Sequence, residues 1–221
     1  MKSVLVTGGE VRLGRAIAEH LRREGWRVIT SSHRADSGSD IVADLSEPSG
    51  PAKLYLEALK LAPDISAIVN NAALFTGDAE KLEAVNFTAP QKLTMLLAGK
   101  EDVRAAVVNI LDAEVLGRRG GPGADPVKAR YLETKAKLRD YTLKSAALFA
   151  GSLRVNAVAP GPVLAPVDVH EKAAETLLDR RPTPEDVAKA VAYLLSAEAV
   201  TGAILPVDSG QHVLSAIDNQ P

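Results

Sequence analysis

The chain has 221 residues, 46% hydrophobic and 24% charged, with a formal net charge of −2. A globular chain of this size buries about 70% of its unfolded surface, enough for one core without staples, and the mixture is too apolar for disorder. Balanced charge gives no general attraction to nucleic acid or an anionic membrane, and the absence of cysteine excludes disulfides, thiol nucleophiles and cysteine-based metal sites.

In chain order, residues 3–7 read as a buried strand, because the apolar run Val4-Leu5-Val6 is too short for a secretory signal. A helical pattern over 12–24 follows, then strands at 27–31 and 40–43, a helix at 51–61 and a strand at 66–70. The alternation continues with a helix at 79–98, a strand at 105–110, a helix at 126–150, a strand at 154–157, a helix at 184–196 and a strand at 203–207. The strands are apolar at nearly every position, as strands covered on both faces are. Thr183-Pro184-Glu185-Asp186 supplies an N-cap, a proline at the first helical position and two acids in the first turn. Two stretches rich in glycine, proline and arginine, 117–126 and 160–184, read as loops. Repeated β-α-β units of this length predict an α/β fold: a single doubly wound parallel sheet of Rossmann type, about seven strands, helices on both faces, one domain over 1–221. No stretch approaches a membrane span, so the expected location is the cytoplasm.

The first strand runs into Thr7-Gly8-Gly9-Glu10-Val11-Arg12-Leu13-Gly14, and a helix follows. Glycine permits the tight turn, and backbone N–H groups at the helix start can meet a pyrophosphate. Glycine also serves ordinary turns, but a strand before and a helix after, at the chain start, favour a dinucleotide. The second strand ends in Ser31-Ser32-His33-Arg34. A site selecting NAD would place Asp or Glu there for the ribose 2′-OH, whereas the planar fork of Arg34 suits a phosphate. The cofactor reading is therefore NADP(H), against a solvated loop charge as the plainer account of Arg34.

Tyr131 and Lys135 lie four apart on the helix at 126–150, which puts phenol and ammonium on one face. A nearby cation favours the phenolate, so the tyrosine pKa is expected to fall and to make Tyr131 a usable general acid. A surface tyrosine and lysine is the plain alternative.

With these pieces assembled, the chain resembles the short-chain dehydrogenase/reductase family over nearly its whole length. Thr7-Gly8 through Gly14 is similar to the family's phosphate turn, Asp44-Leu45 to its adenine contact, and Asn70-Asn71-Ala72-Ala73 to its fourth-strand signature. Asn86 matches the asparagine that holds a proton-relay water, Tyr131 and Lys135 the active pair, and Pro160-Gly161 the turn over the nicotinamide. Val163 stands where the family's backbone meets the carboxamide, and Thr201-Gly202 through Val207-Asp208-Ser209-Gly210 resembles its last strand, with Ser209 for a more usual glycine.

Arg12 in the turn, His33-Arg34 after the second strand, and Asp112 where most members have serine together resemble the pteridine reductases, including bacterial dihydromonapterin reductases. That resemblance implies that Arg12 faces substrate and cofactor phosphate, that Asp112 joins Tyr131 and Lys135 in proton delivery, and that Phe75 stacks a pterin against the nicotinamide. Asp112, partly desolvated beside a phenol, is expected to have a raised pKa. The plainer readings are a core aromatic for Phe75 and a turn-capping carboxylate for Asp112. The expected activity is NADPH-dependent reduction of dihydropterin or dihydromonapterin, with dihydrofolate as a further acceptor.

Some features depart from the branch. Asp112 and Tyr131 stand 19 residues apart, which leaves Asp125 as another candidate acid. Ala73 sits where a serine often touches the pterin, and the segment after Gly161 is short. Arg118 and Arg119 are a solvated pair or a contact for an acidic tail such as folate's glutamate. The rival readings are a reductase of carbonyls such as 3-oxoacyl thioesters and a non-catalytic NADP-binding sensor. The scattered His20, His33, His170 and His212 have no metal-site spacing. Partners expected are a small-molecule substrate and, from the resemblance, three further copies in a homotetramer, with the apolar tail 213–217 suited to burial against a neighbour.

Overall fold

The computed structural model describes residues 2–100, 104–117, 125–163 and 176–217. Seven parallel strands form one sheet: β1 (Ser3–Thr7), β2 (Arg27–Ser32), β3 (Ile41–Val42), β4 (Ile65–Asn70), β5 (Ala105–Ile110), β6 (Leu153–Pro160) and β7 (Ile204–Val207). Their order is β3-β2-β1-β4-β5-β6-β7. The winding reverses between β1 and β4, and a crevice at the carboxyl ends of the strands follows from that reversal.

Successive side chains of β1 point to opposite faces. Val4 and Val6 pack with Ile17 and Leu21 of α1 (Arg12–Arg23) and with Val187, Val191 and Leu194 of α6 (Pro184–Ser196). Leu5 faces the other layer, where α2 (Gly50–Leu61) and α4 (Ala89–Ala98) bring Leu54, Leu93 and Leu97. Leu5 is level with Ile29 on β2 and Ile68 on β4. This two-sided burial explains why the strands carry no polar alternation. At the start of α6 the expected cap is present: Thr183 accepts from the Asp186 amide while the Asp186 carboxylate accepts from the Thr183 amide.

Four elements differ from the sequence expectation. β3 is two residues long, because Asp40 uses its carboxylate to accept from the amide (2.7 Å) and hydroxyl (2.9 Å) of Thr30. β6 continues to Pro160, which carries the chain to the site. The helix expected over 79–98 is α3 (Ala79–Glu83), a π turn (Ala84–Thr88) and α4. Within it Pro90 has no N–H to give to the Asn86 carbonyl, and Ala89 reaches back to Ala84. Finally, the tail is helical, α7 (Gln211–Ile217), and Asp208 starts it by accepting from the amides of Gly210 (3.0 Å) and His212 (2.7 Å). Ser209 takes φ 54° in that turn, the left-handed region where a glycine would be unstrained. Most of the loops expected at 117–126 and 160–184, including Arg118, Arg119 and His170, lies outside the described residues.

Candidate active site

A cleft of about 910 Å³ opens at the carboxyl ends of the central strands. Gly8, Arg12, Leu13, Gly14, His33, Arg34, Asp44, Leu45, Asn71, Ala72, Ala73, Asp112, Tyr131, Lys135, Pro160, Gly161 and Val163 all line it. Phe75 stands beside it against Tyr131, and Asn86 lies buried behind it. The fold thus gathers nearly every residue singled out in the sequence.

Between β1 and α1 the backbone doubles back so tightly that a Cβ on Gly14 would stand 2.0 Å from the Gly8 carbonyl oxygen. Only glycine fits, and the first turn of α1 is thereby pressed against the strand end. No side chain caps that helix and no acid occupies its first turn, so its leading N–H groups and positive dipole end face the cleft. Asn71 braces the turn by donating from Nδ2 to the carbonyls of Thr7 (2.9 Å) and Gly8 (3.1 Å). The Thr7 hydroxyl accepts from the amides of Asn71 and Ala72, each at 3.0 Å.

At one end of the cleft Arg34 is exposed, and its fork is engaged. Nε and Nη2 donate to the two carboxylate oxygens of Asp36 at 3.0 and 2.8 Å. Asp44 is turned toward Ser46, accepting from its amide (2.8 Å) and hydroxyl (2.7 Å), and these bonds hold its carboxyl below the usual range. Lys81 also lines this end.

At the other end Asp112 follows β5 and accepts from the Glu114 amide at 2.9 Å, capping a 3-10 turn at Ala113–Val115. The capping reading is therefore correct for one carboxylate oxygen. The same carboxylate stands beside the hydroxyl of Tyr131, a residue of α5 (Pro126–Leu148), close enough for its charge to act on the phenol. Burial raises the Asp112 pKa, as expected. For Tyr131 the expectation is corrected: its pKa is raised well above 10, by burial first and then by the adjacent Asp112 charge, so the phenol keeps its proton. The Lys135 ammonium, 5.6 Å from the Tyr131 ring centroid, is 2% exposed and donates to the Ile110 carbonyl at 2.8 Å. Burial lowers its own pKa to about 8.

Phe75 is 51% exposed, with its ring 5.0 Å from that of Tyr131, so it is no core aromatic. Asn86 is fully buried on the π turn. Its side chain accepts from the Leu74 amide (2.8 Å) and donates to the Leu74 carbonyl (2.8 Å) and the Thr134 hydroxyl (3.1 Å), tying the segment before Phe75 to α5. Gly161 presses on Asp208, whose Cα a Cβ there would meet at 2.8 Å, and the Val163 amide donates to the Gly161 carbonyl at 2.8 Å. Asp125 caps α5 by accepting from the Val127 amide, a structural task at the start of the helix.

A family model described as enoyl-(acyl carrier protein) reductase matches residues 11–212. The chain belongs to the short-chain dehydrogenase/reductase family. It is 30% identical to glucose 1-dehydrogenase 2 of Bacillus subtilis, covering 95% of this chain and 94% of that one. It is 28% identical to the dihydromonapterin reductase of Shigella boydii over 95% and 96% of the two chains. The solved structure of FolM alternative dihydrofolate reductase 1 from Brucella canis, complexed with NADP, superposes with a TM-score of 0.81 at 30% identity, covering 96% of this chain and 94% of that one. The last two relatives support the pteridine-reductase-like branch of the family. As a short-chain dehydrogenase/reductase, the protein is an NAD(P)-dependent oxidoreductase. The cradle at Gly14 and the uncapped start of α1 fit the pyrophosphate of such a dinucleotide.

Three residues at the site escaped the sequence reading: Asp36, Lys81 and Glu114. Asp36 carried a signal, an acid two residues after Arg34 in a Ser/Gly-rich loop. Glu114 pairs with Lys128 at 2.7 Å, a contact 14 residues apart in the chain and without a local signature.

Proposed function

We propose that the protein reduces the C=N bond of a dihydropterin, such as dihydromonapterin, with NADPH, and that dihydrofolate is a larger acceptor for the same chemistry. The observation that carries this reading is the placement of Asp112 beside the Tyr131 phenol in the cleft, at the position where a serine would serve a ketone oxygen. When bound, the nicotinamide supplies the hydride to carbon. The ring nitrogen must then receive a proton, and Tyr131 is the donor: its raised pKa keeps it protonated near neutral pH. Asp112, itself raised, shares that proton and returns one to the phenol. Half-exposed Phe75 gives the flat heterocycle a stacking face, and Arg12 is among the residues that line the cleft.

In this reading Lys135 would hold the nicotinamide ribose hydroxyls, Val163 the carboxamide, and Asp44, Leu45, Ala72 and Ala73 the adenosine half. His33 and Arg34 would read the 2′-phosphate. The dihydromonapterin reductase and the NADP complex among the relatives support both substrate and cofactor. Reduction of a carbonyl, such as a 3-oxoacyl thioester, is the second reading, favoured by relatives such as the glucose dehydrogenase. The test is NADPH oxidation by the purified protein with dihydropterin, dihydrofolate or a β-ketoester, with NADH in parallel. Turnover of dihydropterin supports the proposal, and turnover of the ketoester alone overturns it. A homotetramer in the cytoplasm belongs to the same reading: α5 exposes Leu143 (48%) and Leu148 (74%), and no helix among the described residues is long and apolar enough to cross a membrane.

A further inference from the structure

We propose that Arg139 is a positioning residue for proton delivery: by holding the carbonyl of Val115 it fixes the Ala113–Val115 turn on α5, and so sets where Asp112 stands against the Tyr131 phenol. The inference rests on the reading of Asp112 as the partner of Tyr131 given above. On α5, Lys128, Tyr131, Lys135 and Arg139 follow one another at spacings of three, four and four, which sets them on one face of the helix. The three cations of that face all reach the segment that carries Asp112. Lys135 donates to the Ile110 carbonyl at 2.8 Å, ahead of it in the chain. Behind it, Lys128 pairs with Glu114 at 2.7 Å and Arg139 Nη1 donates to the Val115 carbonyl at 2.6 Å. Asp112 is thus bracketed on both sides by the helix that carries the phenol.

Apolar packing alone would not set that position. Leu111 and Val115 pack with Leu138 of α5, but apolar contact has no preferred direction, so it holds the turn on the helix without fixing its register. A hydrogen bond has direction, and one from a guanidinium is stronger than one from a neutral donor. Val115 ends the turn and is 6% exposed, so the donor to its carbonyl also spares a buried acceptor. Asp140 keeps the guanidinium turned this way: it accepts from Nε at 2.9 Å and Nη2 at 2.8 Å, and Nη1 is left for the turn. Arg139 is not among the residues that line the cleft, so its effect on the chemistry passes through Asp112.

The test is a double-mutant cycle read on the ratio of kcat/KM for dihydropterin to that for a β-ketoester. NADPH binding by calorimetry and amide exchange at Glu114, whose N–H Asp112 accepts, are measured alongside. Arg139→Met keeps an unbranched apolar stem and removes the donor. It should lower the ratio about threefold to tenfold in wild type and less than about 1.5-fold in Asp112→Ser, with NADPH affinity within about twofold. Exchange of the Glu114 amide should quicken about tenfold. Arg139→Lys, which retains a donor, should recover most of the ratio.

An equal effect of Arg139→Met with and without Asp112, or no effect on ratio or exchange, would overturn the positioning role. A merely structural residue would lower the turnover of both substrates alike and leave the ratio unmoved. If Arg139→Met yields no folded protein, Asp140→Asn, at a half-exposed position, reads the same cycle. A fall in the ratio of about twofold to threefold is expected there, and an unchanged ratio would overturn the proposal. Wild type inert to dihydropterin would instead overturn the functional reading, and Glu114 exchange would still decide whether Arg139 holds the turn.

Discussion

The two ends of the cleft carry the same kinds of group and treat them in opposite ways. At one end Arg34 and Asp36 stand in water, and their direct pairing shifts them: the carboxyl goes down and the guanidinium up. At the other end Asp112, Tyr131 and Lys135 are shifted first by burial, which pushes the acids up and the ammonium down to about 8. Exposed charges hold their ordinary state and change partners readily. Desolvated ones favour their neutral forms, so the two acids keep their protons while the ammonium yields its own more readily. Substitutions at the desolvated end should therefore act on chemistry, and those at the exposed end on binding.

The largest effect is expected from Tyr131→Phe, which removes the proposed proton donor: kcat should fall by about a thousandfold while NADPH titrates as in wild type. A fall of less than about tenfold would place the donor elsewhere. Lys135→Met should lose activity and yet stabilise the fold. The lysine shift from 10.5 to about 8 corresponds to about 3 kcal/mol against the charged form. Because the folded pKa lies below the unfolded one, this penalty is full below about pH 8 and disappears as pH rises toward 10.5. The variant should thus show a higher Tm than wild type at pH 7 and little difference at pH 10.5. An equal or lower Tm at pH 7 contradicts the cost assigned to burial.

Asp112→Asn sharpens the comparison through pH. The Asp112 charge raises the pKa of Lys135, so neutralising it should lower that pKa further and move the alkaline limb of kcat/KM to lower pH than in wild type. An unmoved limb would separate the two groups. Phe75→Ala, at a half-exposed position, should raise KM for dihydropterin by about three- to tenfold and leave Tm unchanged.

The fold was legible because two-sided burial writes itself as apolar strands, and because Thr183 to Asp186 spells its own cap. The π turn was hidden: it depends on an amide that Pro90 lacks, within a pattern that reads as unbroken helix. The helical tail was equally hidden, since it is nucleated by Asp208 from outside the helix. At the site, residue identities could be read from short motifs, but the sign of the Tyr131 shift could not. Helical spacing showed Lys135 beside Tyr131; it did not show that Asp112, just past β5, stands beside the hydroxyl, or that the ammonium is spent on the Ile110 carbonyl. The Asn86 brace on Leu74 likewise needs the two segments folded together.

The central claim is that Asp112 fits the site to a ring C=N bond. It is tested most directly by the ratio of kcat/KM for dihydropterin to that for a β-ketoester, measured with NADPH in wild type and in Asp112→Ser. The account predicts a ratio well above one in wild type and a fall of about tenfold or more in the variant, with NADPH binding unchanged. A ratio that Asp112→Ser leaves unmoved, or a wild type that turns over only the ketoester, would contradict it.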